Sequence, residues 1–337
     1  MHLSPINIST QPLSQARITI LIEEFVQAIE HSSEPAFYVT LSSSKHEQVV
    51  NSSLSRWLNG IDQLLSVYAD YYVFSEHLEV FWKACRQIGL GYGPTGLACL
   101  DADGNPYLSF AQSMNALIDR IRQLTHETGF KRKEHDRRYQ ANQKRTTLEH
   151  YVRDILNQYS RTVVVRVDLH YRDEFAHLIR IDDLVSDLKT LIRAKERNEI
   201  FKHEIGYAWS IEQGEDRGFH IHSAFFFNSS HVYSDWHKAQ TIGELWGQIT
   251  AGRGYTHNCN ANKKKYVRVG VGTIKRDDEQ ACDNVVSTLL YLTKDNQYLR
   301  IKPPRMRCFG TGTHPKAKLI TDRTCLAGGS VNSGATV

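Results

Sequence analysis

The spacing of apolar residues changes near residue 160, and that change limits the folds open to this chain of 337 residues. Before it, apolar side chains recur every three to four positions. Ile18 to Ile22 runs into Phe25, Val26 and Ile29, and Leu54, Trp57, Leu58, Ile61, Leu64, Leu65 and Tyr68 repeat the pattern. Leu78, Val80, Phe81 and Cys85 suggest a third helix, and Phe110, Met114, Leu117, Ile118, Ile121 and Leu124 a fourth over about 108–127. This is the period of amphipathic helices. After the change, Arg161 to Leu169 is β-branched and strand-like. Helices follow at about 182–198, 234–249 and 278–294, and strands at 207–212, 219–227 and 266–271. The order β-α-β-β-α-β-α mixes a hairpin with crossovers. It predicts an α+β class: a mainly antiparallel sheet with flanking helices, preceded by a mostly α-helical N-terminal module.

Charge follows the same division. Residues 1–130 carry a net −6 and residues 131–337 a net +10, which together give the overall +4. The boundary is dense in cations: residues 131–145 hold seven basic and two acidic side chains. The chain therefore divides into an accessory part (1–130), a basic linker helix (131–160), a main domain (161–310) and a tail (311–337) whose last ten or so residues read as disordered. A basic back half points to a polyanionic partner.

Several classes are excluded. No apolar run of about 18 residues could span a membrane, and residues 1–5 lack the basic and apolar regions of a secretory signal. The expectation is a cytoplasmic protein with reduced thiols, and no C-x-x-C pair suggests a zinc ribbon. The Gly-rich stretch 89–96 is not followed by the Lys-Ser/Thr of a phosphate loop.

The chemistry centres on Phe219-His220-Ile221-His222-Ser223. On a strand His220 and His222 share a face. A hairpin folded about Asp216 places Glu212 opposite His220 and Ser210 opposite His222, giving two imidazoles and one carboxylate on one face. Such a set, without thiolate, suits Mg²⁺ or Mn²⁺ at least as well as Zn²⁺. On the last helix Tyr291 and Lys294 stand three residues apart, on one side. A tyrosine becomes a competent nucleophile when a metal polarises its electrophile and a nearby cation balances the developing charge.

In this order the pieces resemble the three motifs of HUH endonucleases, the single-strand-nicking initiators of rolling-circle replication. In finer texture they are similar to filamentous-phage (inovirus-type) replication proteins and their prophage relatives of the YagK/YfjJ type. The resembling stretches are Val165–Leu169, Gly218–His222, Leu289–Lys294 and Arg307–Gly310. The resemblance covers about 161–310. It implies His220 and His222 as ligands of Mg²⁺ or Mn²⁺, with Glu212 the proposed third. It implies Tyr291 as the nucleophile that keeps the DNA 5′ end as a phosphotyrosine ester, and Lys294 as its helper. Many phage-type relatives use two tyrosines one turn apart. Here position 295 is Asp and 287 is Ser, and Tyr298 lies seven residues on, so a one-tyrosine enzyme is expected.

Lys263, Lys264, Lys265, Arg268, Arg305 and Arg307, with Tyr266 interleaved, fit a groove tracking single-stranded DNA or origin DNA. A host helicase or polymerase is a conceivable partner of the front part, and oligomeric state is not encoded in these patterns. The alternatives are a non-catalytic prophage DNA-binding protein that retains the fold and a metal enzyme with no nucleic-acid substrate.

Overall fold

The computed structural model describes residues 13–42, 46–101, 103–104, 107–293 and 298–313, with Lys264 described by its backbone. The front part holds helix α1 (Gln15–Glu30), the hairpin β1 (Phe37–Leu41) and β2 (Glu47–Asn51), short helix α2 (Ile61–Leu65), strand β3 (Val73–Phe74), α3 (Glu76–Gln87), the hairpin β4 (Gly91–Gly93) and β5 (Gly96–Ala98), and α4 (Phe110–Thr125). The rest runs α5 (Thr128–Gln158), β6 (Arg161–Tyr171), α6 (Ile181–Lys195), β7 (Glu204–Gly214), β8 (Gly218–Asn228), α7 (Asp235–Ile249), β9 (Gly254–Asn258), β10 (Gly272–Lys275), α8 (Glu279–Leu290), β11 (Ile301–Lys302) and β12 (Phe309–Thr311). The expected α+β class, with antiparallel pairing and a helix-rich front, is what the chain forms.

Local chemistry explains the helix starts. Ser14 accepts a hydrogen bond from the Arg17 N–H at α1. Ser109 and Gln112 close a reciprocal capping box at α4. Three local expectations change. The apolar spacing over 54–68 does not make one helix. A 3₁₀ turn at Ser55–Leu58 is cut from α2 by Gly60, whose φ of 85° is left-handed. The strand expected at 266–271 is an exposed loop in which Val267 is wholly open to solvent. Its place is taken by β9 and β10, so the order gains a strand. The last helix stops at Leu290, and Tyr291–Thr293 tightens into a 3₁₀ turn. Lys294 lies outside the described residues, as does the tail from 314 onward.

The main sheet has the order β10-β6-β8-β7-β12, and β9 also pairs with β6. Strands β9 and β10 share one edge of β6: β10 takes Arg161–Val164, and β9 takes Val167–Tyr171. Alternation along the long strands builds two different faces. Val163, Val165, Val167, Leu169, Ile221, Phe225 and Phe227 face a core with Leu184 and Leu188 of α6 and Ile242 and Trp246 of α7. On the other face, Val164, Ala208, Ala224 and Phe226 pack under α5 and α8. Burying a side chain such as Phe226 contributes roughly 1.5–3 kcal/mol. That second apolar patch covers only one end of its face. Beyond Ala224 the same face turns polar, and the site lies there.

Helix α5 spans two cores. Phe130 near its start is buried with α1, α3 and α4, while Leu148, Tyr151, Val152, Ile155 and Leu156 at its end pack on the sheet. Residues 131–147 between them are mostly exposed, as expected of a polar helix that bridges two packed units. The front part is also fastened directly to the sheet. The Gln213 amide donates to Ala16 O at 2.7 Å and to Thr19 Oγ1 at 2.6 Å. Gln15 Oε1 accepts from Ile181 N at 2.9 Å, and β3 pairs with β11. Arg300 forms a buried ion pair with Glu23. Among the described residues no helix is long and apolar enough to cross a membrane.

Candidate active site

The β7–β8 hairpin has the register expected from its turn: Glu212 opposes His220 and Ser210 opposes His222. Gly218, with φ 58°, supplies the left-handed residue that starts the return strand. The ligand-type atoms of Glu212, His220 and His222 all lie within 4.8 Å of one another, and the three residues are buried. His220 Nδ1 is 3.0 Å from Gly218 O. A carbonyl only accepts, so this bond puts the proton on Nδ1 and turns the lone pair of Nε2 toward Glu212, 3.8 Å away. His222 Nε2 lies 3.2 Å from the same Glu212 oxygen. Both histidines thus offer Nε2 to one place.

Neither Glu212 oxygen makes a hydrogen bond, although the side chain is only 3% exposed. The His222 contact is close but not aligned as a hydrogen bond. A buried carboxylate in that condition is costly unless a cation meets it. Two imidazole nitrogens and a carboxylate, each aimed at the others and poorly satisfied among themselves, fit a metal ion.

A residue absent from the sequence-derived set completes the surroundings. Asp168 on β6 opposes His222 in register, and its Oδ1 lies 2.7 Å from His222 Nδ1. Arg166, two residues before it, approaches the same carboxylate at 3.3 Å. Burial works against the charged form of His222, but Asp168 and Glu212 outweigh it and raise its pKa to about 9. Burial also works against the Asp168 anion, yet His222 and Arg166 hold its carboxyl far below the usual range. His220 goes the other way, pushed down to about 4 by burial and the adjacent His222 charge. His170 is fully buried and stacked between His220 and Tyr255 at 5.2 Å from each ring, with no hydrogen bond to either ring nitrogen. Burial and the His220 charge lower it to about 3.

Arg166, Asp168 and His170 stand at every second position of Val165-Arg166-Val167-Asp168-Leu169-His170. That period-2 polar face was visible in the sequence. The apolar half of the same alternation, Val165, Val167 and Leu169, packs into the core on the opposite face.

Tyr291 stands at the edge of this group. Its ring centroid is 6.1 Å from that of His222, with the planes nearly perpendicular. The Arg166 guanidinium carbon is 5.5 Å from the Tyr291 ring centroid. Tyr291 is 42% exposed, so solvent and a ligand reach it. A cavity of about 420 Å³ opens there, lined by Arg166, Asp168, His222 and Tyr291 and by Arg217, Tyr266 and Arg268 toward its mouth. A second cleft, about 350 Å³, reaches Glu212 from the other side, between α5 (Lys133, Arg137, Lys144) and Lys302.

Tyr298 is not a partner of Tyr291. Its hydroxyl bonds to Glu23, and Arg137 lies 4.1 Å over its ring. Burial and the Glu23 charge raise its pKa well above the usual tyrosine value.

The remaining cations are dispersed. Lys263 Nζ pairs with Asp235 at 2.6 Å, Lys265 is exposed, and Arg268 reaches the Tyr291 cavity. Arg305 and Arg307 are exposed on the loop before β12. They lie toward the sheet edge opposite β9 and β10.

Comparison with known proteins adds one finding. No curated protein and no solved structure matches the chain. The profile of the YagK/YfjJ C-terminal domain matches residues 123–312, from the end of α4 to just past β12 and so across the whole sheet and every site residue described above. With more than half of its length matched, the chain belongs to the YagK/YfjJ C-terminal domain family.

Proposed function

We propose that this protein nicks and rejoins single-stranded DNA at an origin through Tyr291, and that it starts rolling-circle replication of a filamentous phage or prophage. The observation that carries this reading is the placement of an exposed tyrosine beside a buried Glu–His–His set, with a guanidinium over its ring. The donor set of one carboxylate and two imidazoles suits Mg²⁺ or Mn²⁺. When bound, that ion draws charge from the phosphodiester and makes its phosphorus more electrophilic.

The chain's own groups do the rest. Glu212, with Nε2 of His220 and of His222, holds the cation. Asp168 keeps His222 oriented. Tyr291 Oη bonds to phosphorus and its proton leaves to solvent at the open mouth of the cavity. The bond from phosphorus to the 3′ oxygen breaks, and that oxygen takes up a proton to become a free 3′ hydroxyl. The 5′ end stays on Tyr291 as a phosphotyrosine ester. Attack by a 3′ hydroxyl on that ester reverses the sequence and rejoins the strand.

The test uses purified protein, Mn²⁺ and labelled single-stranded fragments tiling the phage or prophage strand. The expected result is a denaturation-resistant protein–DNA band that needs metal and is lost in Tyr291→Phe. Binding without any adduct across the tiled set would instead favour the non-catalytic DNA-binding reading.

A further inference from the structure

Arg166 sits on β6 on the same face as Asp168, and its side chain is only 12% exposed. A buried guanidinium is expensive to desolvate without partners. Its two approaches to Asp168, 3.3 Å from Nε and 3.4 Å from Nη2, are long for charge-assisted bonds. The strand beneath it is held firmly: Asn260 Oδ1 accepts from Arg166 N at 2.9 Å, and the Asn260 amide donates to Val164 O at 2.9 Å. The backbone is thus fixed while the charged end is loosely engaged. A guanidinium has five N–H donors in a planar fork, and Asp168 meets only two of its nitrogens. Arg166 borders the cavity that Tyr291 and His222 also line, with its guanidinium carbon 5.5 Å from the Tyr291 ring centroid.

We propose that Arg166 is a catalytic residue. Its remaining N–H groups bind a non-bridging oxygen of the phosphodiester that Tyr291 attacks, and they balance the charge that builds there as the Tyr291–phosphorus bond forms and the bond to the 3′ oxygen breaks. Arg166 donates hydrogen bonds and transfers no proton. A planar fork matches phosphate geometry, which a lysine point charge does not. The Asp168 carboxylate then serves two partners, orienting His222 on one side and Arg166 on the other. The proposal rests on the nuclease reading for the identity of the reacting group, while the phosphate contact itself can be tested without any reaction.

Two measurements test it. In the first, Tyr291→Phe protein without metal is titrated with a fluorescein-labelled single strand of about 20 nucleotides, longer than a single binding site, over a salt series. Loss of one phosphate contact on a single strand lowers the log–log salt slope by about 0.7. Adding Arg166→Met is expected to lower the slope by that amount and to weaken binding, whereas Arg166→Lys keeps the slope. In the second, single-turnover adduct formation with Tyr291 intact is expected to fall on the order of 10²-fold in Arg166→Lys, the scale of losing one oriented donor at a developing charge.

An Arg166 that only props Asp168 gives another pattern. Mn²⁺ binding would weaken in Arg166→Met while the salt slope stayed unchanged, and that result overturns the proposal. If Arg166→Met does not fold, Arg166→Gln takes its place in the first measurement, and Arg166→Lys carries the second. If the intact protein forms no adduct with any fragment, the nuclease reading fails, and the salt slope still decides whether Arg166 meets phosphate.

Discussion

Asp168 Oδ1 lies 2.7 Å from His222 Nδ1, so one imidazole is held between two carboxylates, Asp168 on one nitrogen and Glu212 on the other. Without metal, a proton on His222 offsets one of those two charges, and Arg166 faces the other at Asp168. A cation binding at Nε2 must displace that proton.

This exchange gives a pH dependence with a defined sign. The folded pKa of His222, about 9, is above the ordinary 6.5. The metal-free protein therefore carries this stabilisation in full below about pH 6.5 and loses it as the pH rises through about 9. His220 is depressed to about 4 and stays neutral throughout that window. Calorimetry of Mn²⁺ binding in buffers of different ionisation enthalpy should show close to one proton released near pH 7.5, falling away above pH 9. Metal affinity should rise over the same interval. Release of no proton at pH 7.5 would remove His222 from the ligand set.

Asp168→Asn keeps the size of the side chain and removes its charge. Loss of a partner that orients a ligand histidine lowers metal affinity by roughly 10–100-fold. The His222 pKa, followed by NMR in the metal-free protein, should fall from about 9 toward the ordinary value. An unchanged His222 titration would show that Asp168 does not set it.

Gly270 tests whether the tyrosine is held in place by the packing of α8. A methyl group there would lie 2.2 Å from Thr288 Oγ1 and 2.4 Å from the backbone oxygen of Asn284, both on α8. Backbone cannot yield cheaply, so Gly270→Ala should push α8 and Tyr291 outward and cost roughly 1–3 kcal/mol in stability. The expected signature is adduct formation impaired well beyond Mn²⁺ binding, because the atoms nearest the added methyl belong to α8, whereas Glu212, His220 and His222 stand on β7 and β8.

The front part is tied to the sheet by Glu23 and Arg300, both nine-tenths buried or more. Arg300→Met would leave the buried Glu23 carboxylate with the Tyr298 hydroxyl but without its guanidinium, and should destabilise the fold by about 3–5 kcal/mol. Replacing both residues with apolar ones should recover much of that loss. Thermal unfolding followed at tryptophans of both parts would show it: Trp57 and Trp82 report the front, Trp209 and Trp246 the sheet.

The hairpin register expected from a turn centred on Asp216 is the one the chain forms, and it brings Glu212, His220 and His222 together. Asp168 and Arg166 were not found, although they alternate on one strand, because their meeting with His222 depends on β6 lying beside β8. That adjacency spans some fifty residues of intervening chain and is set by tertiary packing. The 266–271 segment misled for the opposite reason. Its alternating valines imitate a strand, while the real edge strand β9, Gly254–Asn258, is too polar to show one. The β1–β2 hairpin leaves little signal, since only Phe37 and Val39 of β1 turn toward the core and the rest of Phe37–Asn51 is largely exposed.

The central claim is that Tyr291 becomes covalently attached to DNA, and mass spectrometry of the adduct tests it most directly. Protein reacted with labelled single strand and Mn²⁺ would be digested with trypsin and nuclease. The account predicts a nucleotide 5′-phosphate on the peptide containing Tyr291, with the modification on its phenol oxygen. A nucleotide attached at Tyr298 or any other side chain, or cleaved DNA with no modified peptide, would contradict it.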